Sequence, residues 1–358
     1  MATEEKSRDA FDPTKRYAGV GMQLGRVLVD DDWNEAERIR LEDERRNQLD
    51  VIGPVGSPDQ GFAIANGHLT GGRCDFDIGA GTLYLGGLRL WNPTTASFAL
   101  QDDWLGQVAG DRPALAVDRA DLVYVEAWQQ PVTAVEDGEL FEVALGGPDT
   151  STRLRTMWRV RVAPGVSGAD CPGAWKAVVD GWAAGGAGVV DATGERKVDA
   201  ALTVDYTAGA IGDLCTPAIA AGYLGAENQT LRVQLVDATH LTWGYDNAAP
   251  LYRATIGADR RTITLATDPR DQAHWPSAGQ IVEILPWSAR LTNGEKLADE
   301  VGHLARVTTS YSPGSHAFVL DALAPVPAGF ETTWTGRADA AALGTGFVFV
   351  RVWNRGDD

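Results

Sequence analysis

The chain has 358 residues, 44% hydrophobic and 22% charged, enough to build real cores in two or three domains. Its 49 acidic against 31 basic residues leave a formal net charge of −18, which excludes the positive field that nucleic acids and anionic membranes require. Three cysteines with no CxxC pair give neither a zinc motif nor a complete disulfide framework, so buried, reduced thiols are expected.

Residues 1–10 are polar and carry no apolar leader, and no stretch approaches the roughly 18 apolar residues of a membrane span. Synthesis in the cytoplasm without direct membrane insertion is the expectation. In Phe11-Asp12-Pro13 the proline fixes φ and pushes Asp12 toward an extended shape. Tyr17 to Val29 carries Gly19, Gly21 and Gly25 among apolar residues and reads as extended and irregular; the spacing is not GxGxxG. Asp32-Trp33-Asn34-Glu35 has the form of a capping box and predicts a helix over about 33–51, stopped by Gly53-Pro54. Arg38–Glu42, Arg40–Glu44 and Glu42–Arg46 sit one turn apart and can pair along the surface. Its apolar residues Trp33, Ala36, Ile39, Leu41, Leu49 and Ile52 leave a gap between Leu41 and Leu49, too little apolar surface to bury the helix in a core. It is either a solvated surface helix or one that packs on a neighbouring subunit.

From Gly61 to Asn92 glycine pairs punctuate a meander: Cys74–Ile78, Thr82–Leu85 and Leu88–Trp91, with turns at Gly79-Ala80-Gly81 and Gly86-Gly87. Asp121–Trp128 reads as a buried strand. Over 153–162, Leu154, Thr156, Trp158, Val160 and Val162 share one face, and Arg153, Arg155, Met157, Arg159 and Arg161 the other. Against a net charge of −18, this arginine ladder is expected to pair across strands with Glu136, Asp137, Glu139 and Glu142. Residues 165–220 are rich in Gly and Ala, a loop-rich insertion or linker bracketed by Cys171 and Cys215. These two cysteines are expected to lie near each other as reduced thiols. Short strands then return at 231–235, 241–243, 262–266, 280–285, 303–308 and 317–320, ending on Gly346–Trp353, apolar on both faces. Their spacing indicates a small barrel or sandwich.

The sequence therefore reads as mainly β with an N-terminal helix: two small β domains of barrel or sandwich type joined by a Gly/Ala-rich, loop-rich segment. The boundaries are 1–55 for an N-terminal docking segment, 56–165 for the first β domain, 166–220 for the insertion or linker, and 221–358 for the second β domain. The five histidines are scattered, with no HExxH, GxSxG elbow or P-loop. Asp30-Asp31-Asp32 lacks the alternating spacing of an EF-hand. No catalytic, metal or cofactor-binding residues are assigned.

One resemblance goes further. The opening block Phe11-Asp12-Pro13, Lys15, Tyr17, Val20, Gln23, Gly25-Arg26-Val27, Asp30 and Asp32-Trp33-Asn34-Glu35 resembles a poorly characterised bacterial family associated with phage-tail-like contractile injection systems. The stretches 122–128 with 132–137, 142–150 and 225–233 resemble the same family, from the N-terminus to at least Trp243. Leu24 stands where a second glutamine is expected, and Thr242-Trp243-Gly244-Tyr245 replaces a more basic Lys-Trp-Ser-Arg. The resemblance implies a non-enzymatic baseplate or accessory subunit of a particle assembled in the cytoplasm and able to leave the cell. Its implied partners are other particle subunits and copies of itself in a symmetric assembly. Phe11, Pro13, Tyr17, Arg26, Trp33, Glu35, Arg38 and Arg45 are the candidate docking residues. The rival readings are a peripheral glycan-binding module, for which 12 tryptophans supply aromatic faces, and a glycan hydrolase.

Overall fold

In a computed structural model the described residues are 6–7, 9–116, 118–166, 168, 170–198, 203, 231–237, 239–245, 250–331, 337–344 and 346–353. The protein is mainly β with one long N-terminal helix, α1 (Asp30–Ile52). The first β region holds β1 (Val55–Gly56), β2 (Ile64–Thr70), β3 (Arg73–Ile78), β4 (Gly81–Leu85), β5 (Leu88–Asn92), β6 (Ala96–Ser97), β7 (Leu122–Val132) and β8 (Arg153–Ala163). A helix α2 (Cys171–Ala184) and the short hairpin β9 (Val189–Val190) and β10 (Arg196–Lys197) follow. Next come β11 (Leu231–Leu235) and β12 (Leu241–Tyr245), then β13 (Leu251–Ile256), β14 (Thr262–Leu265), β15 (Ile281–Leu285), β16 (Trp287–Arg290), β17 (Lys296–Ala298), β18 (His303–Ser312) and β19 (Ala317–Leu320). A one-turn α3 (Ala340–Leu343) precedes the last strand, β20 (Val348–Trp353).

Six of these strands close into an antiparallel barrel in the order β13-β14-β19-β18-β15-β20. Closure leaves no sheet edge to protect. Its interior is filled by alternate residues such as Ala254, Ile263, Val282, Ile284, Phe318, Val348 and Val350, none more than a few per cent exposed. The last strand is buried on both faces, as its sequence implies. Val348, Val350 and Val352 point into the barrel, while Phe349 joins a second core with Leu105, Leu285, Trp287 and Leu343.

That second core joins the two strand-rich regions. Leu105 donates its amide to the Ser288 carbonyl at 2.8 Å. Val132 and Met157 of β7 and β8 pack on Ala289 and Leu297 of β16 and β17. Gln130 Nε2 donates to the Ala298 carbonyl at 3.0 Å, and Arg253 Nε to the Val135 carbonyl at 2.7 Å. Buried charges line the same seam. Glu136, fully buried, accepts from the Thr133 amide and hydroxyl and from the Ala298 amide at 3.0–3.1 Å. Burial pushes its carboxyl above the ordinary glutamate range. Glu283 accepts from Gly302 N at 2.8 Å, Arg351 Nη1 at 2.9 Å and Trp353 Nε1 at 3.2 Å. Both ions of the Glu283–Arg351 pair are wholly buried.

Two expectations are corrected. First, the arginine ladder pairs with other acids: Arg155 with Asp103 at 2.7 Å, and Arg161 with Glu126 at 3.2 Å and Asp111 at 3.6 Å. Arg159 donates to the Asp103 carbonyl at 2.6 Å and lies over the Trp128 ring. The reason is the register. Arg161 lies opposite Tyr124 and Arg159 opposite Glu126 on β7, whereas Glu136–Glu142 lie past the end of that strand. Met157, on the arginine face, is buried in the seam core, so this face is an inner one. Second, the helix starts three residues early at Asp30, with Val29 as N-cap and no side-chain cap; Asp32 is inside the first turn. The Gly/Ala-rich segment also contains α2. Asp170 caps it, accepting from Gly173 N at 2.8 Å, and Pro172 sits in its first turn. Trp175 and Trp182 pack edge-on against each other and around Tyr124 of β7 at 5.5–6.0 Å between rings.

Cys74 and Cys171 are free thiols; Cys74 is half-buried, and Cys171 is exposed where a buried thiol is expected, because it occupies the solvent side of a helix start. Cys215 lies outside the described residues, and with it the expected Cys171–Cys215 proximity.

Candidate functional site

The feature that stands apart from the packed body is a loop at residues 12–29. Its base is tied shut. Ser7 donates its amide and hydroxyl to the Asp30 carboxylate at 3.0 and 2.7 Å, and Ala10 donates its amide to Asp31 at 3.1 Å. Arg38 pairs with Asp9 and stacks its guanidinium over the Phe11 ring at 4.6 Å. The hydrogen bonds from Ser7 hold the Asp30 carboxyl below its ordinary value. Asp30 and Asp31 are therefore committed to clamping residues 7–10, and nothing marks them as calcium ligands. No group of His, Cys, Asp or Glu able to hold a metal occurs among the described residues.

Above this base the chain makes a 3-10 turn at Pro13–Lys15, capped by Asp12 through the Thr14 amide. It then runs out in an extended form and turns at Gln23–Arg26, where Arg26 N bonds the Gln23 carbonyl at 3.2 Å. Gly25 sits at φ 74°, the left-handed region such a turn needs. Most of its apolar side chains point into solvent: Tyr17 is 60% exposed, Met22 63%, Leu24 104% and Val27 84%, while Val20 is half-buried. A side chain placed on Gly19, Gly21 or Gly25 would meet nothing within 4 Å. Lys15, Arg16 and Arg26 are its only charged residues between Asp12 and Asp30, all exposed, and none forms an ion pair among the described residues.

The eight candidate docking residues divide. Pro13, Tyr17, Arg26 and Trp33 are exposed and open to a partner. Phe11 and Arg38 hold the loop base together. Arg45 is committed to the chain itself, pairing with Glu42 at 2.8 Å and reaching the Gly86 carbonyl at 3.4 Å. Its backbone lies so close to Gly87 (φ 81°) that a Cβ there would fall 2.4 Å from the Arg45 carbonyl oxygen. Helix α1 is thereby seated on the β4–β5 turn. Glu35 is half-buried on the same helix. Of the expected surface pairs, Arg40–Glu44 and Glu42–Arg46 form at 3.2 and 2.7 Å; Arg38 turns to Asp9 instead of Glu42.

A second exposed excursion includes the stretch 142–150, to which the sequence assigns no docking residue. The connection between β7 and β8 shows ten consecutive exposed residues, 141–150, including Phe141, Val143 at 84% and Leu145 at 67%. A cavity between β12 and the barrel has a volume of ≈ 140 Å³ and is lined by Leu241, Thr242, Trp243, Ile281, Arg306 and Trp353. That is well below the roughly 300–1,000 Å³ of a small-molecule site.

Residues 3–211 match a family described as a family of unknown function, DUF6519. The match covers more than half of the chain, which belongs to that family. It takes in the clamped loop, α1, the first β region and α2. No curated protein and no solved structure matches the chain. No helix among the described residues is long and apolar enough to cross a membrane.

Proposed function

We propose that this chain is a structural, non-enzymatic subunit of a phage-tail-like contractile injection particle, attached at the baseplate region through the loop of residues 12–29. The observation that carries the reading is the loop itself: exposed apolar residues held out on a base clamped by four separate contacts. A clamped loop has already lost much of the freedom that docking would cost. The opening sequence block that resembles contractile-injection proteins builds this loop and supplies Phe11 and Asp30 of its base. The interlocked body behind it, with no edge on the barrel, suits a part that must transmit force.

The test is to replace residues 12–29 with a short Gly/Ser linker in cells producing such particles, purify the particles and probe them for the subunit. The expected result is a folded chain missing from the particles; retention at the wild-type level overturns the reading. Turnover of any polysaccharide by the purified chain would overturn its non-enzymatic part.

A further inference from the structure

We infer that the loop at residues 12–29 of one copy docks on the β7–β8 connection, residues 137–150, of a second copy of this chain. The inference deepens the docking reading by naming the partner. It rests on two segments of one chain that are unsatisfied in complementary ways.

The loop is apolar and basic. Between Asp12 and Asp30 it carries Lys15, Arg16 and Arg26 and no acid, in a chain whose net charge is −18. The connection is apolar and acidic. From residue 129 to 152 the sequence has Glu136, Asp137, Glu139, Glu142 and Asp149 and no lysine or arginine. Glu136 is consumed in the seam. The other four form no ion pair among the described residues: Arg155, Arg159 and Arg161 of β8 are held by Asp103, Asp111 and Glu126, and Arg153 donates to the Ser151 hydroxyl and the Thr152 carbonyl. Both segments also expose large apolar side chains: Tyr17, Leu24 and Val27 on the loop, Phe141, Val143 and Leu145 on the connection. No hydrogen bond or ion pair joins the two segments within one chain among the described residues.

The shape of the connection is fixed from within. Glu142 caps the 3-10 turn Val143–Leu145 by accepting from Ala144 N at 2.9 Å, and Gly146 closes it in the left-handed conformation. Asp137 holds the Glu139 amide at 3.2 Å and the Asn293 side chain at 3.0 Å. The presented surface is therefore ordered before any partner arrives. A contact between two different patches of identical chains is heterologous, and such contacts generate rings when the rotation closes. Opposite charges around an apolar centre give such an interface its register and its salt dependence.

Sedimentation of the purified full chain tests the idea with charge reversals at exposed positions, circular dichroism confirming that each variant folds. Wild type is expected to associate with rising concentration, less so at high salt. Arg16→Glu with Arg26→Glu, or Glu139→Lys with Asp149→Lys, should each weaken association by about tenfold or more, since several exposed charges turn from attraction to repulsion. The 1:1 mixture of the two variants should associate again, because the acidic loop of one meets the lysines of the other. A wild-type chain monomeric up to about 1 mM, near the limit of useful affinity, overturns the inference. So does weakening by the loop reversal with no effect of Glu139→Lys and Asp149→Lys, or a mixture that fails to recover. Each of these leaves the particle reading standing if the linker variant is still lost from particles; a self-associating chain retained on particles without its loop would sink that reading alone.

Discussion

Arg26-Val27-Leu28-Val29 and Val350-Arg351-Val352-Trp353 are nearly the same peptide in composition: one arginine among large apolar residues. The first is exposed along its whole length, and the second is buried along its whole length. The difference lies in what each backbone meets. The second pairs on both sides, with β13 and β15, and its arginine finds Glu283. Among the described residues the first has no strand beside it, and its arginine forms no ion pair. A buried strand of this kind spends its apolar residues on folding; an exposed one keeps them for a partner.

The sharpest way to break that comparison is to remove the buried arginine's Glu283 carboxylate. Glu283→Ala leaves Arg351 charged and fully buried, and should cost about 3–5 kcal/mol of stability in denaturant unfolding. At the seam, Met157→Ala opens a cavity against Val132, Ala289 and Leu297, expected to cost about 2–5 kcal/mol. Gly87→Ala forces a side chain onto the Arg45 carbonyl at a positive φ, a strain of about 1–3 kcal/mol that should loosen α1 while sparing the barrel; hydrogen exchange of the two elements would separate them. By contrast, Leu24→Ser on the loop should change stability by no more than about 0.5 kcal/mol and yet reduce association.

The smallest effect is on pH. Asp30 has its carboxyl held below the ordinary value by Ser7, so the clamp contributes fully above the unfolded-state pKa and is lost as pH falls through the lower folded value. The Ser7 amide resonance should shift in that acidic window, and Asp30→Asn should abolish the titration. An amide that does not respond would mean that the base is not closed by this carboxylate.

The strands were legible where alternation and glycine turns are local. Cys74–Ile78, Ala317–Leu320 and Leu231–Leu235 fall where the pattern puts them, and the Gly53-Pro54 stop holds. Partner assignment failed where it depended on distance along the chain. Asp32-x-x-Glu35 has the form of a cap, but Asp30 and Asp31 are drawn to residues 7 and 10, more than 20 positions away, and the helix begins early around them. Glu136 looks like one more surface acid beside the arginine ladder. Only the approach of β17 makes it a buried acceptor. In sequence, Glu136, Asp137, Glu139 and Glu142 read as the ladder's counter-charge and 142–150 as part of a resemblance, and neither reading marks the connection as a surface of its own.

Composition, alternation and turn residues by themselves determined that this chain is mainly β, that a charged helix lies near its start, and that its last strand is buried on two faces. These depend on interactions between residues a few positions apart. Which charges are spent inside and which remain outside was decided by tertiary structure alone. Barrel closure and the seam bring together groups more than 100 residues apart, such as Arg253 with Val135 and Gln130 with Ala298. An ion's cost or value is set by the partners and the burial that such distant contacts provide.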